Sequence, residues 1–359
     1  MIPVTQPFMP PYEEYSNLIS KLWETKWLTN HGVYVQELEK HLKNFLQVPT
    51  IHYVNNGTIA IQLALKALDI KGQVITTPFS FVATSSSLIW ESCTPLFVDI
   101  LPNTLCIDPE KIEEAITDDT EAILATHVYG IPCDIERIEY IAKKYNLKVI
   151  YDAAHAFGVK YKNKSLLSFG HISTLSFHST KLFHTIEGGG IINNLDKEID
   201  SRIISMRNFG QIDNKYLHVG INAKNSEFHA AMGLCNLKFV DEIIQKRKRI
   251  SNFYDTYLSN KIKRPFISAD IEYNYAYYPI IFETEDVLIK VMNKLAENQI
   301  QTRRYFYPSL NKLSYVGNQK SCEISEDISK RILCIPLFSE LNLKEAERIV
   351  SLILEEIKI

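Results

Sequence analysis

The sequence predicts an α/β domain on a mainly parallel sheet, residues 1–245, followed by a smaller α+β domain, residues 246–359. Three observations carry this. Between residues 51 and 151, short apolar, β-rich runs alternate with amphipathic helical runs, the pattern of repeated strand–helix–strand units. The polar and glycine-containing punctuation there falls at the carboxyl ends of the strand-like runs, where ligands of parallel sheets collect. Beyond about residue 250 the alternation gives way to a mixture of strands and longer helices.

In chain order, a proline-rich start is followed by helical runs over 12–23 and 34–45, which flank the turn-rich segment Trp27-Leu-Thr-Asn-His-Gly32. Residues 51–54 read as a strand, Asn55-Asn-Gly-Thr58 as a turn, and the alanine- and leucine-rich run to 68 as a helix. Strand, glycine turn and helix start make an anion site, because the first helical amides lack acceptors and the helix dipole favours negative charge there. The same residues also serve as a plain turn with Thr58 as the helix cap. Strands at 74–77, 96–98, 122–126 and 148–151 then alternate with helices at 80–90, 109–116 and 135–145.

The polar punctuation comprises Asn56-Gly57-Thr58, Pro78-Phe-Ser-Phe81, His127-Val-Tyr-Gly130 and Asp152-Ala-Ala-His155. Together on one sheet edge they predict a lined site. Asp152 follows Val149-Ile-Tyr151 at the end of a central strand, so its carboxylate needs a cation or hydrogen-bond donors, unless it caps a following helix.

Residues 172–177 read as a further strand that ends in His178-Ser-Thr180, just before Lys181. Gly188-Gly-Gly190 then precede the apolar stretch 191–192, as expected of backbone that approaches a ligand closely. A helix over 196–206 leads to Arg207-Asn-Phe-Gly210, and Gly220-Ile-Asn-Ala-Lys-Asn-Ser-Glu227 opens one long helical pattern that runs through 257, with Asn225 or Ser226 as cap. A strand at 277–282 and helices at 287–297 and 343–357 complete the chain.

A net charge of −3 without a basic block argues against nucleic acid or an anionic membrane as the main partner. The N-terminus has no basic region, and no apolar run approaches the ~20 residues of a membrane helix. The protein is therefore expected in the cytoplasm. Six dispersed cysteines with no Cys-x-x-Cys pair fit reduced, packed thiols and give no metal signature.

The turn at Gly57 and Thr58, the acid at Asp152 and the amine of Lys181 need one ligand. Pyridoxal 5'-phosphate asks for all three: helix-terminal amides for its phosphate, an acid for its ring nitrogen, and an amine for its aldehyde. Phe81 at a strand end supplies an aromatic for the ring. No Gly-x-Gly-x-x-Gly dinucleotide pattern and no P-loop is present.

With these residues in place, the sequence resembles the sugar-nucleotide aminotransferases of the DegT/DnrJ/StrS family. The motifs that carry the resemblance run in order through nearly the whole chain: Asn56-Gly-Thr58, Thr77-Pro-Phe-Ser-Phe-Val-Ala-Thr84, His127-Val-Tyr-Gly130, Asp152-Ala-Ala-His-Ala-Phe-Gly158, Ser176-Phe-His-Ser-Thr-Lys181, Glu187-Gly-Gly189, Arg207-Asn-Phe-Gly210 and Ala230-Ala-Met-Gly233. The resemblance implies fold type I of the pyridoxal-phosphate transferases, the aspartate aminotransferase-like fold, with a mostly parallel seven-stranded sheet. It implies Lys181 as the Schiff-base lysine, Asp152 on the ring nitrogen, Phe81 stacked on the ring, and His155 beside its phenolic oxygen. Gly57, Thr58 and Ser176 are implied as phosphate contacts, completed by Asn222 from a neighbouring subunit in a homodimer.

The implied reaction is amination of a nucleotide-linked ketosugar with L-glutamate as donor. The local form around Lys181 looks most like the members that convert dTDP-4-keto-6-deoxy-D-glucose to dTDP-4-amino-4,6-dideoxy-D-glucose for O-antigen synthesis. Amination at carbon 3, of a UDP-linked sugar, or to a galacto product is the alternative within the family. A sugar dehydratase is the other enzymatic class, but colitose-pathway dehydratases carry histidine where this chain has Lys181; a non-catalytic cofactor-binding protein is the non-enzymatic one. Trp27, Thr29, His184, Arg207 and Arg304-Tyr-Phe-Tyr-Pro308 are candidates for the sugar pocket.

Overall fold

Side chains of a strand point alternately to its two faces, and here both faces are covered. Val74, Ala122, Leu124, Ile150 and Ile191 pack into one buried cluster, and their neighbours Ile75, Ile123, Ala125, Val149 and Ile192 into another. The computed structural model, which describes residues 1–357, places these strands in one seven-stranded sheet.

Helices α1 (Tyr12–Thr25) and α2 (Val33–Leu46) precede β1 (His52–Val54) and α3 (Gly57–Ala67). The alternation continues through β2 (Gln73–Thr76), α4 (Val82–Trp90), β3 (Thr94–Phe97), α5 (Pro109–Ala115), β4 (Thr120–Thr126), α6 (Ile135–Tyr145) and β5 (Lys148–Asp152). Short strands β6 (Lys160–Tyr161) and β7 (Lys164–Ser165) lead to β8 (Ile172–Ser176), β9 (Gly189–Asn193) and α7 (Lys197–Met206). The ribbon β10 (Gln211–Ile212) and β11 (Lys215–Tyr216) precedes α8 (Glu227–Leu237) and α9 (Val240–Leu258). The chain ends with β12 (Ile271–Glu272), β13 (Tyr278–Ile281), α10 (Glu285–Glu297), α11 (Glu323–Arg331), β14 (Ile332–Ile335) and α12 (Leu343–Glu356).

The large sheet runs β1-β9-β8-β5-β4-β2-β3. Its strands are mutually parallel except β9, which lies antiparallel between β1 and β8. The α/β architecture and the mostly parallel seven-stranded sheet are therefore as expected. Another apolar cluster joins Ile250, Tyr254 and Leu258 of α9 to β13, β14, α10 and α12, and takes in Ile2 from the start of the chain. No helix of the described residues is long and apolar enough to cross a membrane. All six cysteines are buried and unpaired.

Three local expectations need correction. Asn56, not Thr58, caps α3, its side chain accepting from the Ile59 amide. The helical run through residue 257 is two helices, broken where Phe239 takes φ −106° and ψ 0° and packs on Phe8, ring centroids 5.2 Å apart. Apolar residues continue at helical spacing across that break, so the pattern alone does not show it. Gly189 and Gly190 lie inside β9, where a Cβ on Gly189 would sit 2.4 Å from the Asn56 carbonyl oxygen. Gly189 thus approaches the chain itself at the start of α3, and a Cβ on Gly190 would meet Ile51 and Phe177, each at 3.1 Å.

Arg207 is also placed differently from the expectation of a sugar-pocket residue. Its Nη1 lies 2.5 Å from Glu39 Oε1 and donates to the Tyr53 carbonyl at 3.1 Å, while His31 Nε2 is 2.9 Å from Glu39 Oε2. Burial pushes the Glu39 carboxyl up, but Arg207 and His31 outweigh it and hold the pKa at about 2, against an ordinary 4.5. A depressed carboxyl contributes stability above its unfolded-state value and loses it as pH falls toward the folded value. Arg207→Met is thus expected to destabilise the protein by about 3–5 kcal/mol at neutral pH, with a smaller deficit as pH falls from 4.5 toward 2; chemical denaturation at several pH values measures both.

Candidate active site

Six strands leave the sheet in one direction, so the segments after them gather on one edge. There Gly57, Thr58, Phe81, Asp152, His155, Ser176 and Lys181 line a single cavity of about 340 Å³. Asn222 does not. It is exposed and bridges through its backbone to Asn208 on the same chain; the sequence expectation assigns its contact to a neighbouring subunit.

Asp152 ends β5, two strands from the antiparallel β9, and is 6 % exposed. Its Oδ2 accepts from Thr84 Oγ1 at 2.8 Å and its Oδ1 from the Ala154 amide at 3.1 Å. Thr84 Oγ1 lies 2.7 Å from Ser80 Oγ, which lies 3.0 Å from Thr126 Oγ1. Since Thr84 donates to Asp152, it accepts from Ser80, and a chain of hydroxyls is oriented toward the carboxylate. Burial pushes the Asp152 carboxyl up; the Thr84 and Ala154 bonds and the Lys181 charge pull the other way and do not cancel it. The carboxylate thus has neutral donors and no cation in an ion pair among the described residues. The helix-cap alternative fails, since no helix follows β5 before the short strands β6 and β7.

Lys181 lies just past β8 and is partly buried, its amide bonded to the His178 carbonyl at 2.9 Å. Burial lowers its pKa, with Arg303 acting in the same direction and Tyr305 and Asp152 opposing. The amine is therefore displaced toward its neutral, nucleophilic form. His155 Nδ1 accepts from the Tyr129 amide at 3.1 Å, and burial followed by the Lys181 charge holds its pKa well down, so the ring presents a neutral Nε2–H.

At the start of α3 no hydrogen bond runs from the Gly57 or Thr58 amide to a protein acceptor among the described residues. A Cβ on Gly57 would sit 2.9 Å from Ser176 Cβ, so only glycine lets these two segments close on each other here. The donor set fits pyridoxal phosphate: open helix-start amides beside a serine, a buried carboxylate wanting a cation, a deprotonation-prone amine, and the half-exposed Phe81 ring on the same cavity.

The cavity also holds residues that sequence reasoning missed. Arg303 lines it together with Tyr305 and Phe306, as do His178, Thr180 and Glu187, with His178 Nε2 3.4 Å from Glu187 Oε1. Tyr305 and Phe306 belong to the segment predicted for the sugar pocket, but its Arg304 turns away to Glu285 and the Lys330 carbonyl. Trp27, Thr29 and His184 stay outside; His184 Nε2 is 2.7 Å from the Phe8 carbonyl oxygen, tying down the N-terminal segment.

Comparison with known proteins agrees with this arrangement. The model of the DegT/DnrJ/EryC1/StrS aminotransferase family matches residues 12–354. A dTDP-4-amino-4,6-dideoxy-D-glucose transaminase of Shigella dysenteriae is 45% identical over 360 residues, covering 98% of each chain. A transaminase of the same description from Escherichia coli is 41% identical over 367 residues, again covering 98% of each. Among solved structures, DesI in the presence of its TDP-sugar product matches with a TM-score of 0.94 at 28% identity, covering 99% of this chain and 93% of that one. The chain belongs to the DegT/DnrJ/EryC1/StrS aminotransferase family.

Proposed function

We propose that this protein is a pyridoxal-phosphate-dependent transaminase that moves the amino group of L-glutamate to carbon 4 of dTDP-4-keto-6-deoxy-D-glucose, yielding dTDP-4-amino-4,6-dideoxy-D-glucose. The observation that carries the reaction class is the meeting of Lys181 and Asp152 on one cavity with the open amides of Gly57 and Thr58. The identity of the sugar draws on the Shigella and Escherichia transaminases, which match over almost the full chain.

Each role follows from the environment of its residue. The Gly57 and Thr58 amides and the Ser176 hydroxyl would hold the phosphate at a helix N-terminus. Asp152, fixed by Thr84 and the Ala154 amide, would keep the ring nitrogen protonated, and Phe81 would cover one face of the ring. His155 would donate toward the ring's phenolic oxygen. When bound, pyridoxal phosphate supplies an electron sink for charge that develops on the carbon bearing the amine. Lys181 would hold the cofactor through its amine and, as a free base, would move the proton at the donor's α-carbon.

The working unit in this proposal is a cytoplasmic homodimer with Asn222 completing the phosphate site of the neighbouring subunit. In support, Phe209, Leu217 and Val219 of the same region are 52%, 56% and 93% exposed, apolar side chains that a second subunit would cover. Residues 1–245 would form the unit bearing the strand ends, and 246–359 the unit that closes over it with Arg303, Tyr305 and Phe306. The aminosugar would serve O-antigen or other surface polysaccharide.

A panel of dTDP- and UDP-linked ketosugars, supplied with pyridoxal phosphate and glutamate, tests the reading through product NMR. The 4-keto-6-deoxy-gluco sugar linked to dTDP is expected to react with the highest kcat/KM. Reaction of UDP sugars alone, or amination at carbon 3, contradicts it.

A further inference from the structure

Tyr277 comes from a segment nearly one hundred residues downstream, yet meets the same amine. Lys181 Nζ donates to its Oη at 3.4 Å, and that hydroxyl has no other hydrogen bond among the described residues. The ring lies against His155, centroids 4.6 Å apart, and edge-on to Tyr305 at 5.6 Å.

The backbone beneath Tyr277 is clamped by buried polar groups. Asn274 Nδ2 donates to the carbonyls of His155 and Phe157, at 2.9 and 3.0 Å, and Asn274 Oδ1 accepts from the Ala276 amide at 3.1 Å. Arg247, buried on α9, donates from Nη1 to the Ala276 carbonyl at 3.1 Å. Glu340 is in electrostatic reach of Arg247, but no ion pair forms among the described residues and the arginine Nε has no partner. A buried guanidinium without a paired anion is strongly unfavourable. Here its visible product is the fixed course of the chain into Tyr277. A second cavity of about 10 Å³, the size of one water, is lined by Tyr277 and Asn274 on one side and by Thr180, Lys181 and Leu182 on the other.

We propose that Tyr277, fixed by Arg247 and Asn274, is a positioning residue for Lys181, accepting one N–H of the amine so that its lone pair points into the main cavity. This rests on Lys181 being the reactive amine and is independent of the sugar. An acceptor oxygen binds an ammonium more strongly than an amine, so Tyr277 also favours the charged form. It acts alongside Asp152 and Tyr305, which do the same, and against burial and Arg303; His155, on the same wall, stays neutral.

Tyr277→Phe removes only the acceptor oxygen. In the cofactor-free protein, carbamoylation of Lys181 by cyanate, followed across pH by peptide mass spectrometry, is expected to shift its midpoint down by about 0.5–1 pH unit. In the loaded enzyme kcat is expected to fall about tenfold, with KM for glutamate nearly unchanged and a larger isotope effect from α-deuterated glutamate. An unchanged midpoint, or a shifted midpoint with unchanged kcat and isotope effect, overturns the proposal. Should Tyr277→Phe fold poorly, Arg247→Lys is expected to move the kinetic readouts in the same directions by less, and no change there overturns it equally. Turnover retained in Lys181→Ala would instead sink the transaminase reading itself, so the two failures are distinguishable.

Discussion

Lys181→Ala is expected to abolish turnover, by at least about 10³-fold, while leaving the protein folded and its melting temperature little changed. The size follows from two losses at one atom: the amine that holds the cofactor aldehyde and the base that carries the proton. The fold should tolerate the change, because among the described residues the Lys181 side chain makes one long hydrogen bond, to Tyr277, and no ion pair. The visible absorbance of the lysine-linked cofactor should vanish as well. The wild-type pH profile carries the complementary sign. A lysine whose pKa is lowered by burial stays a free base to lower pH than an exposed one, and activity is lost as pH falls through that lowered value.

Asp152→Asn is expected to lower kcat by about 10²–10³-fold without loss of stability in the cofactor-free protein. The amide keeps the shape and an acceptor for the Ala154 amide, but not the charge that would hold a proton on the ring nitrogen. Burial already opposes the charged carboxyl, so a neutral amide relieves an unfavourable state. Kinetics of the glutamate half-reaction and thermal unfolding of the cofactor-free variant measure the two effects separately. A large fall in cofactor-free stability would instead make Asp152 a structural anchor.

The parts of the site that periodicity and punctuation report were legible from the sequence. Strand runs from 51 to 177 placed Gly57, Phe81, Asp152 and Ser176 on one edge because a parallel sheet leaves no other place for the segments after its strands. What escaped has a physical reason in each case. The glycines after Lys181 read as ligand-facing because a sequence shows that backbone must pass close to something, not what; Gly189 meets the Asn56 carbonyl. Arg207 read as a pocket residue because its partner, Glu39, lies 168 residues earlier. Arg303 lies outside any predicted strand or helix, and Tyr277 opens the run predicted as a strand at 277–282, where alternation does not show which face meets the site. Tyr277 shows its role only through the clamp of Asn274 and Arg247, which joins three distant segments.

The measurement that tests the central claim most directly is a reaction of the loaded enzyme with dTDP-4-keto-6-deoxy-D-glucose and ¹⁵N-labelled L-glutamate, read by NMR of the sugar product. The proposed function predicts one ¹⁵N per sugar, on carbon 4 with gluco configuration, formed by the wild type and not by Lys181→Ala. A product without the label, or a label on carbon 3, would contradict the account.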